Sequence, residues 1–92
     1  MKQFVVVAYD ISDDKRRQKI AKALVNFGVR SNFSVFECVL TESQVKTMQK
    51  QLNKMADPKT DCILYYYLCK SCVGKREVFG RQLGYRSEIV WV

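Results

Sequence analysis

Ninety-two residues suffice for one domain and are too few for two. The chain sets 16 Lys+Arg against 9 Asp+Glu, and the resulting +7 favours a polyanionic partner, nucleic acid ahead of an anionic membrane surface. It contains no histidine, which excludes Ser/His/Asp and Cys/His nucleophilic catalysis and two-histidine RNA cleavage; hydrolysis would need a carboxylate-bound metal or a less usual base.

Residues 4–9 (Phe-Val-Val-Val-Ala-Tyr) form an apolar, β-branched run. It is short for a signal-peptide core and no small-residue cleavage site follows, so a cytoplasmic protein is expected. No run approaches the ~20 residues of a membrane span. The run predicts a strand buried on both faces, ended by Asp10. Ser12 stands where a helix N-cap belongs, and Asp13 and Asp14 suit the positive end of a helix.

That helix is predicted over 13–27. Ile20, Ala23, Leu24 and Phe27 make its apolar stripe, and Gly28 ends it in the C′ position. Residues 29–40 are rich in β-formers and long for one strand, which predicts a tight pair with its corner near Ser31-Asn32. A second helix begins at Thr41, whose spacing to Gln44 is that of a capping box. Val45, Met48, Leu52 and Met55 form its apolar stripe, and Asp57-Pro58 stops it. Residues 62–69 predict another buried strand, 76–79 a short one, and the apolar tail 88–92 a last one.

The order is that of an α+β, ferredoxin-like βαββαβ domain spanning 1–92, an antiparallel sheet with both helices on one face. Residues 76–92 then form a C-terminal strand extension. Unpartnered apolar strands are sticky edges, and pairing them across a homodimer would cover them.

Asp10 is the sharpest chemical candidate. At the end of a buried strand its carboxylate is held rigidly, as a Mg²⁺ ligand would be; the more common role for an Asp in such a place is a turn residue that caps the next helix. Mg²⁺ takes one or two carboxylates plus water and phosphate. A two-fold dimer would duplicate Asp10 on its axis. The cluster Lys15, Arg16, Arg17, Lys19 and Lys22, with Arg30, holds six cations and no acid from 15 to 30. It is either a phosphate-contacting surface or the solvated face of an amphipathic helix. Cys69-Lys70-Ser71-Cys72 is a single CxxC. Structural zinc needs four ligands, and a thioredoxin-like motif would open a helix after a strand, whereas Gly74 and a short strand are expected here. Two structural cysteines at a turn are therefore expected. Tyr65-Tyr66-Tyr67 could stack on bases, but core packing is the expected role.

Tyr9-Asp10-Ile11-Ser12-Asp13-Asp14-Lys15-Arg16-Arg17, then Gly28 and Arg30, then Ser34-Val35-Phe36-Glu37, closely resemble the signature of the small CRISPR-associated endoribonuclease family. Leu68-Cys69-x-x-Cys72 followed by Arg76-Glu77-Val78 is similar to a version that many members carry. The family often has Val-Gln where this chain has Ser31-Asn32, and the tail 81–92 is variable within it. The resemblance implies a ferredoxin-like homodimer whose C-terminal strands cross to the partner. It also implies a Mg²⁺-dependent endonuclease, with Mn²⁺ as an alternative ion, in which Asp10 binds metal at the dimer interface. In spacer acquisition such a dimer bridges dimers of the CRISPR integrase subunit and supports double-stranded DNA. Members differ in whether they cut RNA, including single-stranded RNA, cut DNA, or need no nuclease activity. An architectural adaptor and a metal-dependent nuclease are thus both open; a regulatory metabolite-binding domain fits +7 poorly.

Overall fold

The computed structural model describes residues 1–81. Strand β1 is Lys2–Asp10 and helix α1 is Asp14–Leu24; strands β2 and β3 are Gly28–Asn32 and Val35–Thr41. Helix α2 (Glu42–Met55), strand β4 (Cys62–Leu68) and the short helix α3 (Lys70–Gly74) follow. The sheet order is β2-β3-β1-β4, and every neighbouring pair is antiparallel. This is the expected ferredoxin-like α+β arrangement.

Strand alternation gives β1 two faces. Val5, Val7 and Tyr9 join Phe36, Cys38 and Leu40 of β3 beneath the helices. Ile20 and Leu24 from α1 and Met48 and Leu52 from α2 complete that core, each with no exposed surface. Complete burial of one such side chain contributes about 1.5–3 kcal/mol. The capping box at Thr41 and Gln44 forms as expected: Gln44 N–H donates to Thr41 Oγ1 at 3.2 Å and Thr41 N–H to Gln44 Oε1 at 2.8 Å.

Phe4, Val6, Ala8 and Asp10 occupy the opposite, open face of the sheet, in register with Leu68, Tyr66, Leu64 and Cys62 of β4. Chain beyond β4 crosses part of this face. Arg76 donates to both Glu37 carboxylate oxygens, at 2.6 and 2.9 Å, with both side chains largely buried. Leu64 and Tyr66 stay about half exposed, at 47% and 53%.

Several expectations are corrected. Asp13, not Ser12, caps α1, its carboxylate accepting from Arg16 N–H at 2.9 Å. The helix ends at Leu24 rather than at 27, and Gly28 opens β2 instead of serving as C′. The corner of the β2–β3 pair falls after Asn32, at 33–34, because a register irregularity between Arg30 and Asn32 carries β2 one step further. Residues 76–79 are not a strand: Arg76 is drawn onto Glu37, and Val78 and Phe79 face solvent. The CxxC does open a helix, with Cys69 in the N-cap position of α3 directly after β4. The expected strand at 88–92 lies outside the described residues.

Gly28 lies so close to β3 that a Cβ there would overlap the Glu37 carbonyl oxygen and the Cys38 sulfur. The obstruction is partly backbone and cannot rotate away. Gly28→Ala is expected to lower the free energy of unfolding by ~1–3 kcal/mol, the usual cost of overpacking. Urea denaturation at neutral pH measures it.

Candidate metal and nucleic-acid site

The three carboxylates near the end of β1 have different partners. Asp13 caps α1, and Asp14 pairs with Arg17. Asp10 is exposed on the open sheet face, and its carboxylate makes no hydrogen bond or ion pair with the described residues. The capping role that Asp10 could have taken belongs to Asp13, which leaves the Asp10 oxygens available. Among the described residues, no group of three or more His, Cys, Asp or Glu is placed to hold a metal ion. An exposed carboxylate without a protein partner suits Mg²⁺, which accepts few protein oxygens and keeps its waters. One chain supplies only one such ligand at this position.

Asp61 organises the neighbouring surface. Its carboxylate accepts from Arg16 Nε at 2.7 Å and Nη2 at 3.1 Å, from Ser12 N–H at 3.2 Å and from Asp57 N–H at 2.9 Å. The Arg16 side-chain hydrogen bonds, then the backbone N–H groups of Asp57 and Ser12, hold this carboxyl well below the usual carboxylate range despite desolvation. Sequence reading missed Asp61. Its partners Ser12 and Arg16 lie 49 and 45 residues away, and after Thr60 it looks like an ordinary turn residue.

The structure divides the predicted cations. Arg16 is held by Asp61, and Arg17 donates to the Ile11 carbonyl at 3.0 Å while pairing with Asp14. Arg30 lies over the Phe36 ring, 5.2 Å from its centroid, and with Arg17 and Tyr9 lines a small cavity of about 190 Å³. Burial raises the Tyr9 hydroxyl's pKa, and the positive charges of Arg30 and Arg17 oppose that rise. Lys15, Lys19 and Lys22 are exposed, spaced along one side of α1, and make no ion pair with the described residues. Lys15 and Lys19 share a surface depression with Lys54 of α2. Lys46, Lys50 and Lys54 add a second lysine row at four-residue spacing, a signal visible in the sequence but overlooked there. Glu42 offsets Lys46 at 3.9 Å.

The tyrosines are split by strand alternation. Tyr65 packs against the core, and burial, then the nearby Tyr67, pushes its hydroxyl up to about 12. Tyr67 accepts from Gln49 Nε2 at 2.9 Å, and Tyr66 faces outward on the open side.

Comparison with known proteins agrees with this architecture. The family model described as "CRISPR associated protein Cas2" matches residues 1–76. A Chloroflexus aurantiacus protein named "CRISPR-associated endoribonuclease Cas2 3" is 39% identical over 80 residues, 87% of this chain and 86% of its own. The crystal structure of a hypothetical protein from Thermus thermophilus is 35% identical, with a TM-score of 0.83 over 96% of this chain and 100% of its own. Streptococcus pyogenes Cas2, solved at pH 6.5, is 34% identical with a TM-score of 0.75, over 84% and 99% of the two chains.

The depressed Asp61 carboxyl gives a pH signature. The native state binds fewer protons there than the unfolded chain, so this contribution is complete above the unfolded value of about 3.9. It is lost as pH falls through the lower native value. Asp61→Asn should lower the thermal midpoint at pH 7, and the gap to the parent should narrow steadily below pH ~4. Thermal unfolding by circular dichroism at pH 7 and at intervals below pH 4 checks this.

Proposed function

The chain belongs to the CRISPR-associated Cas2 family, and from that membership we propose that it acts in CRISPR adaptation as a DNA-binding homodimer that bridges integrase dimers and carries a Mg²⁺-dependent endonuclease site at Asp10. The observation that carries the nuclease reading is the state of Asp10. It is the one carboxylate among Asp10, Asp13 and Asp14 without a structural partner, and it sits on the sheet face that the helices leave open. Leu64 and Tyr66 expose apolar surface on that same face. A two-fold contact through it would cover them and duplicate Asp10 near the axis.

In this reading two copies of Asp10 hold the ion, with Mn²⁺ as its substitute. The ion would activate water and neutralise charge developing on the scissile phosphate. The protein's part is to hold Asp10 at the end of β1, beside Cys62 on β4. Lys15, Lys19 and Lys22, with Lys50 and Lys54, would bind duplex phosphates without reading bases. Arg16 and Arg17 brace the region between β1 and α1 rather than reaching out as long cations. The integrase partner and a cytoplasmic setting follow from the family role; among the described residues no helix is long and apolar enough to cross a membrane. A purely architectural adaptor is the second reading, favoured by the lone carboxylate that one chain presents.

Asp10→Asn separates the two. It should abolish cleavage of single-stranded RNA and duplex DNA in Mg²⁺ or Mn²⁺, while sedimentation still shows a dimer and duplex binding persists. Full cleavage by the variant, or by the parent in chelator, would reject Asp10 as the metal ligand; no cleavage by either leaves the architectural reading.

The binding surface has its own test. Affinity for duplex DNA should fall log-linearly with salt. Lys15→Ala with Lys19→Ala should flatten the slope by about 0.9 for each phosphate that is no longer neutralised. Arg16→Ala should change that slope little and lower thermal stability instead.

A further inference from the structure

The four cysteines are chemically unequal. Cys38 is buried in the core, where burial, and after it the Glu37 charge, pushes its thiol up to about 12. Cys62 is exposed at the Asp10 end of β4, seven residues before Cys69, or ~20 Å along an extended strand. Cys69 and Cys72 are both exposed, and their sulfurs lie 3.3 Å apart across the first turn of α3. Cys69 Sγ also lies 3.2 Å from Ser71 Oγ. It borders a surface cavity of about 550 Å³ between the start of β1 and the end of β4, with Lys2 and Lys70 in its lining. A reagent can therefore reach this sulfur from solvent.

We propose that Cys69 and Cys72 form a reversible dithiol–disulfide couple, a thiol-modification site in which Cys69 attacks and Cys72 resolves. The geometry carries the pairing. The 3.3 Å separation is about 1.3 Å longer than a disulfide bond, a gap that side-chain rotation can close. No other described cysteine is near enough to compete. The surroundings assign the roles. Contact with the Ser71 hydroxyl, and after it with Cys72, lowers the Cys69 thiol to about 7, whereas the same pairing with Cys69 raises Cys72.

The co-reactant is a low-molecular-weight disulfide, RSSR. The Cys69 thiolate attacks one of its sulfurs, forming a mixed disulfide and releasing RS⁻. Cys72 then gives up its proton and attacks the Cys69 sulfur, releasing a second RS⁻. Both leaving thiolates take up protons, so two protein thiols are oxidised and RSSR is reduced to two RSH. Cys69 is about half ionised at pH 7, against a few per cent for an ordinary thiol. Part of that advantage is offset by the weaker nucleophilicity of a more acidic thiol, leaving a rate gain of about threefold.

The test uses the full chain carrying Cys62→Ser, with oxidised glutathione as RSSR and intact-mass spectrometry as the readout. The parent pair should lose two hydrogens within one chain and regain them in excess reduced glutathione. Adding Cys72→Ser should trap a stable glutathione adduct on Cys69. Adding Cys69→Ser instead should leave Cys72 forming its adduct about threefold more slowly. Ser71→Ala should raise the pH at which Cys69 alkylation reaches half its maximal rate. Glutathione adducts that never resolve to a two-hydrogen loss, disulfides between copies, or equal adduct rates at Cys69 and Cys72 would overturn the proposal. None of these readouts depends on nucleic-acid cleavage.

Discussion

β1 is hydrogen-bonded along both edges, to β3 on one side and β4 on the other, and its two faces meet different surroundings. Val5, Val7 and Tyr9 are committed to the core beneath the helices. Phe4, Val6, Ala8 and Asp10 are thereby committed to the open face, because alternation allows no other outcome. A slip of one residue would put Asp10 under the helices and expose Val5 and Val7. The position of the candidate metal ligand is thus a consequence of core packing elsewhere on the same strand. Tyr9 reinforces the register: its N–H donates to the Ser34 carbonyl at 3.0 Å and its hydroxyl to the Phe33 carbonyl at 3.3 Å.

Two ion pairs extend this frame across the two faces. Arg16–Asp61 joins α1 to the loop before β4 and fastens Ser12 between them. Glu37–Arg76 joins β3 to the chain beyond α3 on the open side. Both pairs are bidentate, a geometry in which Arg gives directional bonds and cannot be exchanged for Lys without loss. Cys69 and Cys72 lie between β4 and Arg76, where the chain turns onto the open face.

Local features are legible in the sequence and long-range ones are not. The capping box at Thr41 and the apolar stripes of both helices rest on contacts three to four residues apart. The βαββαβ order follows from them and from β-branched runs. The Asp61 cluster bridges more than 40 residues and has no compositional mark. Arg76 resembles part of a short strand because its pull toward Glu37, 39 residues earlier, is invisible locally. Gly28 mimics a helix terminator, since glycine looks the same whether it ends a helix or makes room for a neighbouring strand. Gly74 argues locally against a helix after Cys69, yet it is the last residue of a five-residue one.

The distribution of charge follows from the same two-faced sheet. The helices present lysine rows to solvent on one side, while the open face combines apolar side chains with Asp10. A polyanion drawn to these lysines would experience a field that salt screens over about 10 Å. A metal held at Asp10 in the proposed dimer would act only on a phosphate in direct contact with it. The two proposed activities would therefore make separate demands: backbone binding needs many exposed cations with no fixed geometry, and phosphodiester chemistry needs few ligands placed by a rigid strand. Arg16 and Arg17 meet neither demand directly, since their guanidinium groups are engaged by Asp61, Ile11 and Asp14. What they do is brace the junction from which Asp10 and the first lysines project.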